Sequence, residues 1–332
     1  MTKKKQIFQF SLFLLLTAAL VWLSFRNADL GRLVDGLRNA DYSWVIVCVL
    51  VGIAAYFIRA RRWALLLEPM GYTPSLWQMY NAVMVGYIAN LAFPRLGEVM
   101  RCGALAKSNK IPLDKLVGTV VAERAFDTVC LLAIIATTFF LRIDTFGKFV
   151  REKVLGQLSG VNVSLLLAAL AIALLVAVLL VWRFRVALQK YGVVRKIFGF
   201  ARGIWEGLKS FTAMRRRAEF VLHTVLLWIC YWLMSWLVLF ALPETAGFNA
   251  VDGLVVMLLG SFGMVAPTNG GIGAFHFITS LGLTYIFGVS TDSGLAYATL
   301  SHESQLIFVL ILGAVSAVSV FIAPSGAKRN VG

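Results

Sequence analysis

The sequence predicts an all-α, polytopic integral membrane protein with about six full transmembrane helices and two re-entrant helical hairpins, arranged as an inverted repeat. Three observations lead to this prediction. The chain is 60% hydrophobic and only 14% charged, whereas soluble globular chains are about one quarter charged. Apolar runs long enough to cross a bilayer recur between residues 7 and 322. The basic residues are concentrated in a few of the segments between these runs, as is typical of cytoplasmic loops.

This composition argues against several classes of protein. The longest polar stretch is 183–217, which leaves no room for a sizeable water-exposed domain or a nucleic-acid-binding module, so the net charge of +15 is interpreted as a signal of topology. The apolar run that follows the N-terminal lysines reaches Phe25 without a cleavage motif and is interpreted as an uncleaved first helix. Four cysteines occur singly, which predicts buried thiols rather than disulfides or metal ligands: Cys48, Cys102, Cys130 and Cys230.

The predicted helices are the apolar segments 7–25, 43–58, 75–93, 117–141, 163–182, 218–242, 251–266, 274–288 and 294–322. If every segment crossed the membrane from a cytoplasmic start, the basic segment 183–217 would lie outside. That segment holds ten Lys and Arg against a single acidic residue, Glu206, so it belongs in the cytoplasm. Some of the apolar segments therefore do not cross.

Two places in the sequence favour a helix that turns back inside the membrane. Segment 75–93 is short and runs directly into Pro94, which predicts a hairpin that enters from the cytoplasm and returns through 97–107. Segments 251–266 and 274–288 are also short, and a proline and three glycines between them cannot continue a helix cheaply. This second hairpin would enter from the outer side.

With both hairpins re-entrant, the charges sort by side, with a net charge of +18 in the cytoplasmic segments and −1 outside. Both termini are then cytoplasmic, and 1–332 is a single transmembrane domain. It divides into inverted halves, 1–141 and 163–322, joined by an outer loop, 142–162. Segment 183–217 is predicted to form a basic amphipathic helix on the cytoplasmic leaflet. Inverted halves with broken helices are typical of secondary transporters.

Four residues at the first break are candidate substrate ligands: Asn90, Arg95, Glu98 and Arg101. Arginine suits a phosphate group because its planar guanidinium forms paired, charge-assisted hydrogen bonds. Irregular backbone at membrane depth survives only when it is buried in protein or lines a polar cavity. The alternative is an ordinary interfacial loop, in which the two arginines are anchors.

The fourth predicted span contains three charged residues, Glu123, Arg124 and Asp127. A charge at the centre of a bilayer costs about 2.5–3.5 kcal/mol on insertion scales, so such residues are candidates for a site. The alternative is structural, because the two carboxylates could neutralise Arg95 or Arg101.

The second break and the last span supply six further candidates: Asn269, Gly270, Gly271, His276, His302 and Glu303. Consecutive glycines expose backbone N–H groups that bind anions, although they could equally serve only to turn the chain. The histidines could relay protons, bind anions or simply pack. The sequence spacing offers no third ligand for zinc, so neither a metal nor a cofactor is predicted.

Four motifs together resemble a known family. They are the stretch NLAFPRLGEVMR at 90–101, the Glu123-Arg124-x-x-Asp127 group, the cluster Arg61-Arg62-Trp63, and Pro267-x-x-Gly270-Gly271-x-Gly273. Taken in their order along the chain, they resemble the lysylphosphatidylglycerol synthase transmembrane region, a flippase-like domain family, over about residues 45–322. The resemblance implies movement of lipids or lipid-linked head groups across the cytoplasmic (inner) membrane of a prokaryote, and it carries over the polar groups at Arg95, Glu98, Arg101, Glu123, Arg124 and Asp127.

The sequence departs from the family pattern around the second break. Asn269 and His276 stand where the family usually has a proline and a glutamate, and Ser301, His302 and Glu303 stand where it often has an arginine. These changes weaken any transfer of substrate from better-known members. The chain ends at Gly332 without a soluble aminoacyltransferase domain, so lipid aminoacylation is not expected.

The leading hypothesis is a non-enzymatic transporter that moves an anionic phospholipid or a lipid-linked head group between leaflets. Its partners would be membrane lipids and not nucleic acid, and a homo-oligomer is allowed. The alternatives are a membrane-embedded enzyme that acts on a lipid phosphate, and a scaffold for a membrane transferase. The sequence has no GxxxxGK[ST], HExxH or GxSxG motif.

Overall fold

The computed structural model describes residues 3–26, 28–94, 96–143 and 211–322, and within these ranges every regular element is helical. The α-helices, numbered along the described residues, are α1 (Lys3–Phe25), α2 (Leu30–Arg38), α3 (Tyr42–Leu67), α4 (Leu76–Ala92), α5 (Gly97–Asn109), α6 (Leu113–Leu141), α7 (Arg217–Leu237), α8 (Ala250–Val265), α9 (Ala274–Phe287) and α10 (Thr291–Ile322). Short 3-10 turns lie at Glu68–Met70, Phe211–Ala213, Val238–Ala241 and Asn269–Gly271. The contacts divide the chain into two units, Met1–Val120 with Phe211–Gly332, and Val121–Ser210.

The predicted all-α fold is confirmed, and most predicted segments coincide with a helix. Helix α2 was not predicted; it is capped by Asp29, whose carboxylate accepts hydrogen bonds from the backbone N–H groups of Gly31 and Arg32. Helix α3 runs to Leu67, well past the predicted end at residue 58. The predicted segment 163–182 and most of the basic segment 183–217 lie outside the described residues.

Five stretches in the described part of the chain are long and apolar enough to span a membrane: Tyr42–Met70, Leu113–Leu141, Arg217–Ala241, Asn269–Phe287 and Thr291–Val320. A sixth arises if Ser11–Phe25 and Leu30–Arg38, which meet at 88°, are taken together. Large apolar side chains such as Leu50 and Ile311 are more than half exposed on these helices, as hydrocarbon contact requires. The chain is therefore a multi-pass membrane protein.

Helices α4 and α5 form a hairpin, here called hairpin 1. Gly86 and Gly97 bring the two backbones together, because a Cβ on Gly97 would lie 2.2 Å from the carbonyl oxygen of Gly86. The backbone N–H of Gly97 donates to Asn90 Oδ1 at 2.7 Å, which closes the break between the helices. At the other end, Asn109 Nδ2 donates to Gln78 Oε1 at 3.1 Å. The chain therefore returns to the level at which it entered.

Helices α8 and α9 form the corresponding hairpin 2. A Cβ on Gly263 would lie 2.6 Å from the Cα of Phe275, next to the break. The open end is closed by the rings of Phe248 and Phe287, whose centroids are 4.8 Å apart. Glu244 also accepts two hydrogen bonds from Ser290 there, each of 3.0 Å.

The antiparallel pair α3 and α7 sets the direction of both hairpins. Cys48, near the start of α3, lies 3.3 Å from the carbonyl oxygen of Met234, near the end of α7. The start of α4 packs beside the second half of α3, where the rings of Phe57 and Trp77 are 5.6 Å apart. The start of α8 lies instead beside the end of α7, where Trp232 Nε1 donates to the Ala250 carbonyl at 2.8 Å. The two hairpins therefore open toward opposite ends of this helix pair.

Candidate functional site

The breaks in the two hairpins meet. Asn269 Nδ2 lies 3.5 Å from the carbonyl oxygen of Ala92, the last residue of α4. Gly270 has a left-handed backbone (φ 59°), and a Cβ there would lie 2.4 Å from Leu91 Cδ2. The glycine is needed both for its backbone conformation and for its close approach to α4. Two interruptions of regular helix, one from each hairpin, thus share one place.

This contact lies beside the first half of α10. His302 Nε2 lies 2.9 Å from the carbonyl oxygen of Gly270. His302 comes eleven residues after Thr291, where α10 begins, which places it about 17 Å along the helix at 1.5 Å per residue. Polar groups from α4, the turn Asn269–Gly271 and α10 thus converge between helices, where unpaired polar groups are costly.

The fold brings three of the predicted candidates into one cluster. Glu303 Oε1 lies 3.3 Å from His276 Nε2 and 3.2 Å from His302 Nδ1. Both histidine side chains are almost fully buried, whereas the glutamate side chain is 38% exposed. The spacing of residues along a single helix could not predict this cluster, because His276 lies on α9 and the other two residues lie on α10. The third potential metal ligand, which the sequence spacing did not offer, is supplied by the packing of these helices.

The candidate residues at the first break have different structural roles. Asn90 is a structural acceptor for the N-terminus of α5, and Glu98 lies partly buried in the first turn of that helix. Arg101 is buried, with its guanidinium carbon 4.7 Å from the ring centroid of Trp63. This cation–π contact holds the charge inside the protein. Arg95 lies outside the described residues.

The charged candidates of the fourth predicted span lie on α6, in the second unit. Arg124 and Asp127 form an ion pair of 3.7 Å one turn apart, and Glu123 is fully buried. Asn269, Gly270 and the histidine cluster belong to the first unit.

The sequence interpretation missed a polar group on α3. Arg59 donates to the hydroxyls of Tyr87 at 2.9 Å and Tyr231 at 3.3 Å, while Arg62 and Trp63 are completely buried. Arg59, Arg62 and Trp63 are therefore buried residues of a helix and do not form an exposed loop. The available signal was that apolar residues continue through this cluster to Leu67, which predicts helix rather than loop.

The prediction that the cysteines are free thiols is confirmed. All four cysteines are free, and three of them are buried. His223 Nδ1 donates to the carbonyl oxygen of Glu219 in its own helix at 2.8 Å, which fits a packing role.

Two opposed helical hairpins whose breaks meet beside a membrane-length helix define a multi-pass membrane domain with a polar contact in its interior. The chain belongs to the family described as the lysylphosphatidylglycerol synthase TM region, whose sequence model matches residues 10–313. The predicted family is thereby confirmed, and its match covers both hairpins and α7.

Two relatives share part of the chain. A UPF0104 membrane protein of Methanocaldococcus jannaschii is 27% identical over 124 residues, which are 36% of this chain and 35% of the relative. A protein named glycosyltransferase AglD of Haloferax volcanii is 25% identical over 115 residues, 34% of this chain and 18% of the relative. The chain therefore matches about a third or less of the length of either relative. No solved structure matches the chain.

Proposed function

We propose that this protein moves an anionic phospholipid or a lipid-linked head group between the leaflets of a membrane. The observation that carries the proposal is the contact between the two helix breaks, made by hairpins that open toward opposite ends of the α3–α7 pair. Breaks of this kind supply polar backbone and side-chain groups inside the bilayer, where a head group needs them. The family name refers to a lipid, which supports a lipid substrate.

The proposed mechanism is alternating exposure of the contact between the breaks. In one conformation the hairpins expose the polar groups at the breaks to one side of the membrane. In the other conformation they expose the same groups to the opposite side. Glu98 and Arg95 would contact the head group at the first break, and His276, His302 and Glu303 at the second. The acyl or polyprenyl chain would stay in lipid, so only the head group crosses the protein. This is transport without covalent chemistry.

The same proposal includes an orientation of the protein in the membrane. The hairpins would be re-entrant, hairpin 1 from the cytoplasm and hairpin 2 from outside, with both termini cytoplasmic in a prokaryotic inner membrane. The asymmetry of basic residues supports this orientation. Both relatives come from prokaryotes, which supports the location.

The test uses purified full-length protein in liposomes. Transbilayer movement is followed with a head-group-labelled anionic phospholipid and with a short-chain polyprenyl phosphate analogue. Movement of either lipid, reduced at least about tenfold in Glu98→Gln, supports transport; tenfold corresponds to about 1.4 kcal/mol. Arg32→Gln is the control, because this arginine is highly exposed on α2 and belongs to neither hairpin. Phosphate release without lipid movement would instead indicate an enzyme. If the protein shows neither activity, the result supports the scaffold hypothesis.

A further inference from the structure

The cluster of His276, His302 and Glu303 has an arrangement of hydrogen-bonding atoms that calls for a cation. His302 Nε2 lies 2.9 Å from the carbonyl oxygen of Gly270. A carbonyl only accepts, so this nitrogen must carry the ring's hydrogen. In the neutral ring, Nδ1 then presents a lone pair.

That lone pair faces another one. His302 Nδ1 lies 3.2 Å from Glu303 Oε1, an ionised carboxylate oxygen that also only accepts. His276 Nε2 lies 3.3 Å from the same oxygen. With the ring hydrogen of His276 on Nδ1, three electron-donating atoms converge on one small volume, where a positive ion between them would turn repulsion into attraction.

The two separations from Glu303 Oε1 match those of a tetrahedral metal site. Metal–ligand distances of about 2.0–2.1 Å, usual for nitrogen and carboxylate ligands of zinc, put neighbouring ligand atoms about 3.3 Å apart. The two separations above are 3.3 and 3.2 Å, and one ligand atom from each residue lies within 4.8 Å of the other two. Two histidines and one carboxylate are also a known ligand set for zinc that leaves one position open.

The surroundings of the cluster fit the same interpretation. A histidine that binds a metal usually donates its other ring N–H to a carbonyl or carboxylate, as His302 does to Gly270. His276 has no such partner among the described residues, where its Nδ1 is buried without a hydrogen bond. Glu303 is partly exposed, so one side of the cluster is open.

We propose that His276, His302 and Glu303 bind one divalent transition-metal ion of the zinc class. Magnesium and calcium are excluded because they prefer sites built from oxygen ligands alone. The open coordination position would accept a phosphate oxygen of the transported head group. That last step rests on the proposed function, whereas metal binding itself does not.

The experiment measures metal binding without any lipid substrate. Full-length protein is purified with an affinity tag free of histidine, stripped with a chelator, and dialysed against Zn²⁺ or Co²⁺. We expect one ion per chain by elemental analysis, the visible absorption of tetrahedral Co²⁺, and a rise in melting temperature with Zn²⁺ but not with Mg²⁺. His276→Gln, His302→Gln and Glu303→Gln should each weaken binding more than about 100-fold, because even losing an outer-shell partner costs about 10- to 100-fold.

The control variant is His223→Gln, which removes a histidine bonded within its own helix and should bind zinc like the parent protein. Size-exclusion profiles of the stripped proteins establish that each variant is folded. The proposal is overturned if the folded parent protein binds no stoichiometric zinc, or if the triple variant binds as tightly. A cluster that holds only a shared proton would give that first result. Lipid movement without metal binding would support the transport proposal and overturn the metal site. Metal binding without lipid movement would support the metal site and overturn the transport proposal.

Discussion

Gly270 shows what one residue contributes to the contact between the breaks. Its backbone is left-handed, a conformation that costs an L-residue about 1–2 kcal/mol. A side chain there would also press on Leu91 of the other hairpin, with the nearest separation 2.4 Å. The glycine therefore permits both the turn and the contact.

Gly270→Ala should lower the free energy of unfolding by at least about 1–2 kcal/mol, since it adds both strain and a clash. Gly103→Ala is the matched control, because Gly103 lies exposed within α5 and an added Cβ would meet nothing within 4 Å. That change should stabilise by about 0.5–1 kcal/mol through helix propensity. Unfolding in mixed detergent micelles measures both. Equal effects of the same sign would contradict the described turn.

Glu244 ties the loop before hairpin 2 to the loop that follows it. Desolvation raises the pKa of this carboxyl, but hydrogen bonds from Ser293 and Ser290 outweigh it and hold the pKa below its ordinary value. A carboxyl with a lowered folded pKa stabilises the protein above its unfolded pKa, and this contribution is lost as the pH falls through the folded pKa.

Glu244→Gln should therefore be less stable than the parent protein at pH 7, and the difference should shrink as the pH falls below about 4.3, the ordinary value for glutamate. Melting temperatures between pH 3 and 7 test this. Ser290→Ala should remove part of the same pH dependence, because it deletes one of the donors to the carboxylate. Parallel pH profiles for parent and Glu244→Gln proteins would show that these hydrogen bonds are not formed.

At the scale of elements, an ion-pair network joins the end of α3 to the start of α7. Arg61 Nε lies 2.8 Å from Glu219 Oε1, and Arg61 also pairs with Glu68 at 3.4 Å. Arg216 adds contacts to both glutamates. Since all these charges lie at one end of the antiparallel pair, they fix the register of α3 against α7.

Arg61→Gln should cost about 1–3 kcal/mol of unfolding free energy, as expected for hydrogen bonds to charged groups that are mostly buried. The comparison is Arg32→Gln, whose partner Asp29 lies 3.7 Å away with both side chains more than half exposed. An exposed pair of this kind contributes about 0–1 kcal/mol. A double-mutant cycle with Glu219→Gln isolates the Arg61 pair. The network has no structural role if Arg61→Gln and Arg32→Gln cost the same.

How far the sequence predicted these elements depended on the kind of signal. Pro94 and the glycines after Pro267 marked both breaks, because residues that cannot continue a helix can be recognised from the sequence alone. The end of α3 was misplaced because Arg59 is satisfied by the hydroxyls of Tyr87 and Tyr231, which are far from it in the sequence. The contact of Glu303 with His276 was likewise unpredictable, since it depends on how α9 packs against α10.

At the scale of the whole molecule, the opposite directions of the hairpins give a topology that can be measured. Lys107 is exposed near the open end of hairpin 1, and Thr291 is exposed just beyond the open end of hairpin 2. In a background without native cysteines, Lys107→Cys should react with an impermeant maleimide only in inside-out vesicles. Thr291→Cys should react only in intact cells. Labelling of both positions from the same side would contradict re-entrant hairpins of opposite direction.

The central claim is that lipid passes where the two breaks meet, and a reversible cross-link tests it directly. A Cβ on Gly270 would lie 3.8 Å from the Cα of Leu91, a spacing close enough for a disulfide after small adjustments. Leu91→Cys with Gly270→Cys, without native cysteines, is reconstituted in liposomes and assayed for lipid movement, with each single variant as control. We predict movement in the reduced protein, its loss on oxidation and its return on reduction. Unchanged movement in the fully cross-linked protein would contradict the account.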